Sequence, residues 1–136
     1  MPPLVTPIRQ RFDRAGIALS ALCAAHCLLS IVLVSAVGLG ASFGLSALLH
    51  PDIHRIGLAV ATLIAAVAIG WGALTHRMAA PSVVAMLGLG LMGGALAVPH
   101  GTQEAVLTVI GVTLLALGHI LNLRHLRDSC VAGCER

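Results

Sequence analysis

The chain alternates long apolar runs with short polar breaks. Four runs cover residues 15–38, 56–74, 81–98 and 105–123, and none contains Lys, Arg, Asp or Glu. About 20 apolar helical residues cross a hydrocarbon core of roughly 30 Å, so each run predicts a membrane-spanning helix. The breaks are His50-Pro51-Asp52, Thr75-His76-Arg77 and Pro99-His100-Gly101-Thr102. Residues 39–49 read either as a helical extension or as a loop at the membrane surface. The runs are continuously apolar and lack the two-residue alternation of a membrane barrel, so the predicted fold is an all-α integral membrane four-helix bundle in one domain. In the second run Gly57, Ala61, Ala65, Ala68 and Gly72 recur at helical spacing. Small residues on one face let neighbouring backbones approach, so this seam predicts close helix packing.

Composition sharpens that picture. The chain is 58% hydrophobic and 10% charged, with a mean hydropathy of +1.00. A soluble domain carries about 25% charged residues, so these charges are too few to coat a soluble globule of 136 residues. The eight basic residues are all Arg, and aromatics make up 2% of the chain. A basic stripe interleaved with aromatics is therefore missing, and nucleic acid is not an expected partner.

The Arg positions set the expected orientation. Arg9, Arg11 and Arg14 precede the first run, Arg77 separates the second and third, and Arg124, Arg127 and Arg136 follow the fourth. Arg55 alone falls between the first and second runs. The positive-inside rule then places both termini in the cytoplasm, with residues 124–136 forming a cytoplasmic tail. The first run is too long for a cleaved signal segment, and bulky Leu22 before Cys23 does not suit a lipoprotein cleavage site.

The candidate chemistry lies mainly in cysteine and histidine. Cys23 and Cys27 stand at i, i+4 in the first run with His26 between them. Ser20, Cys23, Cys27 and Ser30 continue one helical stripe that should face the bundle interior. Counted from Ala15 at 1.5 Å per residue, the thiols fall roughly 12–18 Å deep, near the bilayer midplane. Thiolates are soft ligands that select soft metals, and an adjacent imidazole can take a thiol proton or act as a further ligand. Cys130 and Cys134 repeat the spacing in the tail, where a reducing cytosol would keep them as free thiols. The plain alternative for them is an unstructured tail with incidental cysteines.

His119 and Asn122 share a face near the end of the fourth run, and His119 reads either as a metal-handling residue or as an interhelical hydrogen-bonding group. His50, Asp52, His54, His100 and Glu104 cluster at the opposite side as solvated polar groups or as a cation-capturing mouth. His76 and His125 read as interfacial anchors. No motif for a resident cofactor or a nucleophilic triad is present, so no enzymatic activity is expected.

The stretch Asp13-Arg14-Ala15-Gly16, continuing through Leu22-Cys23-Ala24-Ala25-His26-Cys27-Leu28, resembles the first-helix signature of the MerC family of mercury-resistance membrane proteins. The ending Leu107-Thr108-Val109-Ile110-Gly111, then Gly118-His119-Ile120-Leu121-Asn122-Leu123-Arg124, resembles that family as well. This chain has Leu28-Leu29-Ser30-Ile31 where many members place a proline after the Cys-His-Cys element.

The resemblance implies uptake of mercuric ion through the bacterial inner membrane. Cys23 and Cys27 would carry it in the membrane and Cys130 and Cys134 would bind it at the cytoplasmic side. It also implies a cytoplasmic mercuric reductase as recipient. Small thiols are the other expected recipients, with His26 and His119 assisting in the membrane. A membrane thiol oxidoreductase and a non-transporting scaffold remain the alternatives.

Overall fold

The computed structural model describes residues 5–37, 50, 52–76, 79–99 and 101–134. Residues 39–49, left open between helix and loop, and His100 lie outside the described residues. The described chain is helical throughout: α1 (Val5–Val37), α2 (Asp52–Ala65), α3 (Trp71–His76), α4 (Ala80–Ala95) and α5 (Thr102–Cys134). A π-helical turn, Ala66–Gly70, joins α2 to α3, so residues 52–76 form one rod. The expected four-helix membrane bundle is the observed fold.

Its helix limits differ from the apolar runs in three places. First, α1 starts at Val5, ten residues before the first run, with Pro7 within its opening turn, where a missing N–H costs little. Arg9, expected ahead of the first span, is instead buried inside the bundle together with Asp13, while Arg11 and Arg14 stay exposed. Second, α5 continues past residue 123 to Cys134, so the described part of the tail is a helical extension rather than an irregular segment. Third, α4 has 16 residues and opens with Pro81 near its start, a favoured position for proline.

At 1.5 Å per residue α4 measures about 24 Å, shorter than the hydrocarbon core. The other three rods contain spans long and apolar enough to cross a membrane: Pro7–Val32, Asp52–Leu74 and Thr102–Asp128. Tight turns lengthen α4. Leu96, Ala97 and Val98 donate to the carbonyls of Gly93, Gly94 and Ala95 at 3.2, 3.0 and 3.4 Å. Backbone N–H groups therefore keep partners to Val98, the limit of the apolar run.

Small residues form the core. Ala61, Ala65, Ala68, Ile69, Ala85, Met92, Val112 and Leu115 are buried together, and the predicted Ala61–Ala65–Ala68 seam lies among them. Between α4 and α5 the approach is backbone to backbone. A Cβ on Gly88 would stand 2.6 Å from the carbonyl oxygen of Gly111, and one on Gly111 would stand 2.8 Å from that of Gly88. Large apolar side chains point outward instead: Leu22, Leu63, Leu74 and Met86 are each more than 60% exposed. Polar groups inside and large apolar groups outside is the arrangement expected where lipid is the solvent.

Candidate functional site

Three helix segments meet around Cys27. It lies two-thirds of the way along α1, and its thiol is buried. His54 comes from the first turn of α2 and Glu104 from the first turn of α5. The Cys27 Sγ is 3.4 Å from His54 Nε2. On the other side of the same ring, His54 Nδ1 is 3.5 Å from a Glu104 carboxylate oxygen. A proton on Nδ1, the nitrogen turned to the carboxylate, would leave the Nε2 lone pair facing the thiol. His26 does not reach either thiol by a hydrogen bond; it meets the His54 ring edge-on, with centroids 5.7 Å apart.

Cys23 lies one turn earlier in α1 and is half-buried. A Cβ built on Gly57 would stand 3.7 Å from its sulfur, so the glycine leaves the thiol room against α2. Ser20, the next residue of the stripe, is buried, and Ser30 turns its hydroxyl back to the His26 carbonyl at 2.8 Å. The stripe therefore faces inward at its centre and loosens at Ser30.

Cys27 is level with the opening turns of α2 and α5, which bring His54 and Glu104 to it. The set Cys27, His54 and Glu104 was split by sequence reading into a membrane pair and a separate loop cluster. The available signal was positional, since His54 and Glu104 each stand third in a helix starting on that side.

The opposite half of the bundle holds a second polar cluster. Asp13 and His119 have no solvent-exposed side-chain surface. Asp13 Oδ1 is 2.8 Å from His119 Nδ1, and Asn122 Nδ2 donates to Asp13 Oδ2 at 2.8 Å. Asn122 Nδ2 also lies 3.3 Å from the Ala68 carbonyl, inside the π-helical turn. Arg9, four residues before Asp13, is buried beside Gly72, where a Cβ would come within 2.9 Å of its guanidinium. The structure thus separates His119 from the cysteines. Its ring packs over Gly16, seven residues or about 10 Å along α1 from Cys23.

Cys130 and Cys134 stand on the last turns of α5, beyond that cluster. Glu104 marks the level of Cys27, and Cys130 is 26 residues further, about 39 Å along a straight helix. The two cysteine pairs therefore occupy opposite ends of the molecule. Among the described residues, no three His, Cys, Asp or Glu side chains form a group that could hold a metal ion.

Comparison with known proteins adds one finding to this geometry. The family model described as MerC mercury resistance protein matches residues 13–124, a span that contains Cys23, Cys27, His54, Glu104, Asp13, His119 and Asn122. Arg9, Cys130 and Cys134 fall outside it. Comparison with curated proteins and with solved structures finds no match. The matched span is well over half of the chain, and a bundle of apolar helices with a buried thiol at one end accompanies it: the protein belongs to the MerC family and is a mercury-resistance membrane protein.

Proposed function

We propose that the protein takes mercuric ion inward across the bacterial inner membrane by thiol ligand exchange, with both termini in the cytoplasm. The observation that carries this reading is the buried Cys27 thiol facing His54, with Cys23 one turn deeper. The ion arrives at the end formed by the opening turns of α2 and α5 and exchanges its incoming ligand for Cys27. His54 Nε2 is placed to take the thiol proton as the sulfur becomes a ligand. Cys23 then joins, and the pair holds the ion without leaving a bare charge in hydrocarbon.

The open geometry supports carriage. A closed cage of three or four ligands would retain a soft ion, whereas two thiols in sequence along a helix permit stepwise exchange. Cys130 and Cys134 receive the ion at the cytoplasmic end, for onward transfer to small thiols or to a mercuric reductase. The orientation rests on seven Arg at one side of the spans against Arg55 at the other. Inward movement of two positive charges gains about 4.6 kcal/mol at 100 mV, less whatever proton release from the thiols removes.

The test is uptake of mercuric ion by vesicles containing the full chain. Cys23→Ser with Cys27→Ser keeps size and polarity but removes both soft ligands, so uptake should be lost while membrane insertion persists. Wild-type uptake in a well-inserted double variant would refute the membrane site.

A further inference from the structure

Beside the Asp13–His119–Asn122 cluster, α1 and α5 leave an open groove between them at the Arg-rich end of the bundle. It encloses about 200 Å³ and is lined by Gln10 and Arg14 from α1 and by Ile120, Leu123, Arg124 and Arg127 from α5. The spacing explains the convergence: i, i+4 on α1 and i, i+3, i+4, i+7 on α5 each describe one helical face. Three guanidinium groups thus border one cavity. Arg14, Arg124 and Arg127 are exposed, and among the described residues none of them forms an ion pair or hydrogen bond. Asp13 and Asp128 each adjoin a groove arginine in sequence, but neither lines the groove, and the Asp13 carboxylate is taken up by His119 and Asn122.

We propose that this groove binds the phosphate headgroup of an anionic phospholipid. Guanidinium forks match phosphate oxygens, and basic pockets between spanning helices suit anionic headgroups. The lining favours a lipid over a free oxyanion. Ile120 and Leu123 supply an apolar wall on a membrane-spanning helix, directly beside the three guanidinium groups. A lipid seated there ties α1 to the part of α5 that leads into Cys130 and Cys134. The inference is independent of which ion the cysteines carry.

The experiment titrates the full chain in neutral detergent with phosphatidylglycerol, phosphatidylcholine or inorganic phosphate, and reads bound molecules by native mass spectrometry. Phosphatidylglycerol should bind in preference to phosphatidylcholine. Each Arg near an anionic surface contributes about fivefold in affinity, so Arg14→Gln, Arg124→Gln and Arg127→Gln should each weaken phosphatidylglycerol by about that factor. Arg11→Gln removes the same charge from an exposed position outside the groove and should leave affinity unchanged. Equal binding of the two lipids would overturn the proposal without any variant. An equal loss in Arg11→Gln would reduce it to diffuse charge. Displacement of the lipid by inorganic phosphate at matching concentration would make the groove a soluble-anion site instead.

Discussion

The bundle holds two polar clusters, one toward each end, built on different terms. At the thiol end the distances are 3.4 and 3.5 Å, and the His54 side chain keeps 25% of its surface exposed. At the other end Asp13 meets His119 and Asn122 at 2.8 Å each, with Asp13 and His119 fully enclosed. Loose, partly wet contacts can open to admit an ion and close again. Short, dry contacts leave no room for exchange, and losing one partner strands the others. The difference separates an end suited to the proposed exchange from a cluster that holds α1, α5 and the π-helical turn in register.

Removing the centre of the tight cluster tests that division most severely. Asp13→Ala leaves buried His119 and Asn122 without their carboxylate partner and takes the nearby negative charge from buried Arg9. Breaking a buried ionic group in this way costs about 3–5 kcal/mol, so thermal unfolding in detergent should move sharply downward or the protein should fail to accumulate. His54→Gln should change the same unfolding transition by less than about 1 kcal/mol, since its contacts are long and partly exposed. Equal destabilisation by the two substitutions would erase the distinction between the ends.

A gentler probe uses glycine. A Cβ on Gly16 would collide with the His119 ring, whereas one on Gly90 meets nothing within 4 Å. Gly16→Ala must displace a ring locked by Asp13 and should cost about 1–3 kcal/mol as overpacking. Gly90→Ala should be neutral or stabilising by up to about 1 kcal/mol, through helix propensity and a less flexible unfolded chain. Unfolding of the two single variants side by side checks the rigidity assigned to the cluster.

How much of this was legible in the sequence depends on the range of the signal. Apolar runs and the Ala61–Ala65–Ala68 seam are local patterns, and the helices and core follow them. The i, i+4 thiols are equally local, and Cys27 does face inward. Arg9 misled because a charge ahead of an apolar run reads as its flank; only the docking of α5 shows that Asp13 has partners 106 and 109 residues away. The π-helical turn runs through Ala66-Val67-Ala68-Ile69-Gly70, which has no proline to mark it. Its Ala68 carbonyl accepts both from Trp71 N–H and from Asn122, a bond the local sequence cannot announce. The Cys27–His54 contact likewise needs two helices to be placed before it exists.

The loose end is probed by function rather than stability. If His54 orients and deprotonates Cys27, His54→Gln should lower mercuric ion uptake about 10- to 100-fold, the usual cost of losing an outer partner of a metal ligand. Glu104→Gln should lower it in the same direction and by less, because its contact is with the far side of the His54 ring. Uptake in inverted and right-side-out vesicles, normalised to inserted protein, gives the comparison. Unchanged uptake in His54→Gln would leave Cys27 working alone.

The smallest expected effect concerns the far end of α5. Cys130 stands about 39 Å along the helix from the level of Cys27, so the two thiol pairs cannot share one ion in this arrangement. Replacing both tail thiols, Cys130→Ser with Cys134→Ser, should therefore leave ion binding at Cys23 and Cys27 unchanged. The loss should appear in delivery: release to an acceptor thiol inside the vesicle slows, and raising the internal concentration of a small thiol restores part of it, because exchange is fast wherever thiolates are accessible. Vesicles loaded with one limiting portion of mercuric ion separate the two readouts. A drop in binding at the membrane pair would require the ends to come together during transport. That would replace a relay along the bundle with a single site of four thiols, and the tight Asp13–His119 cluster between them would then have to open.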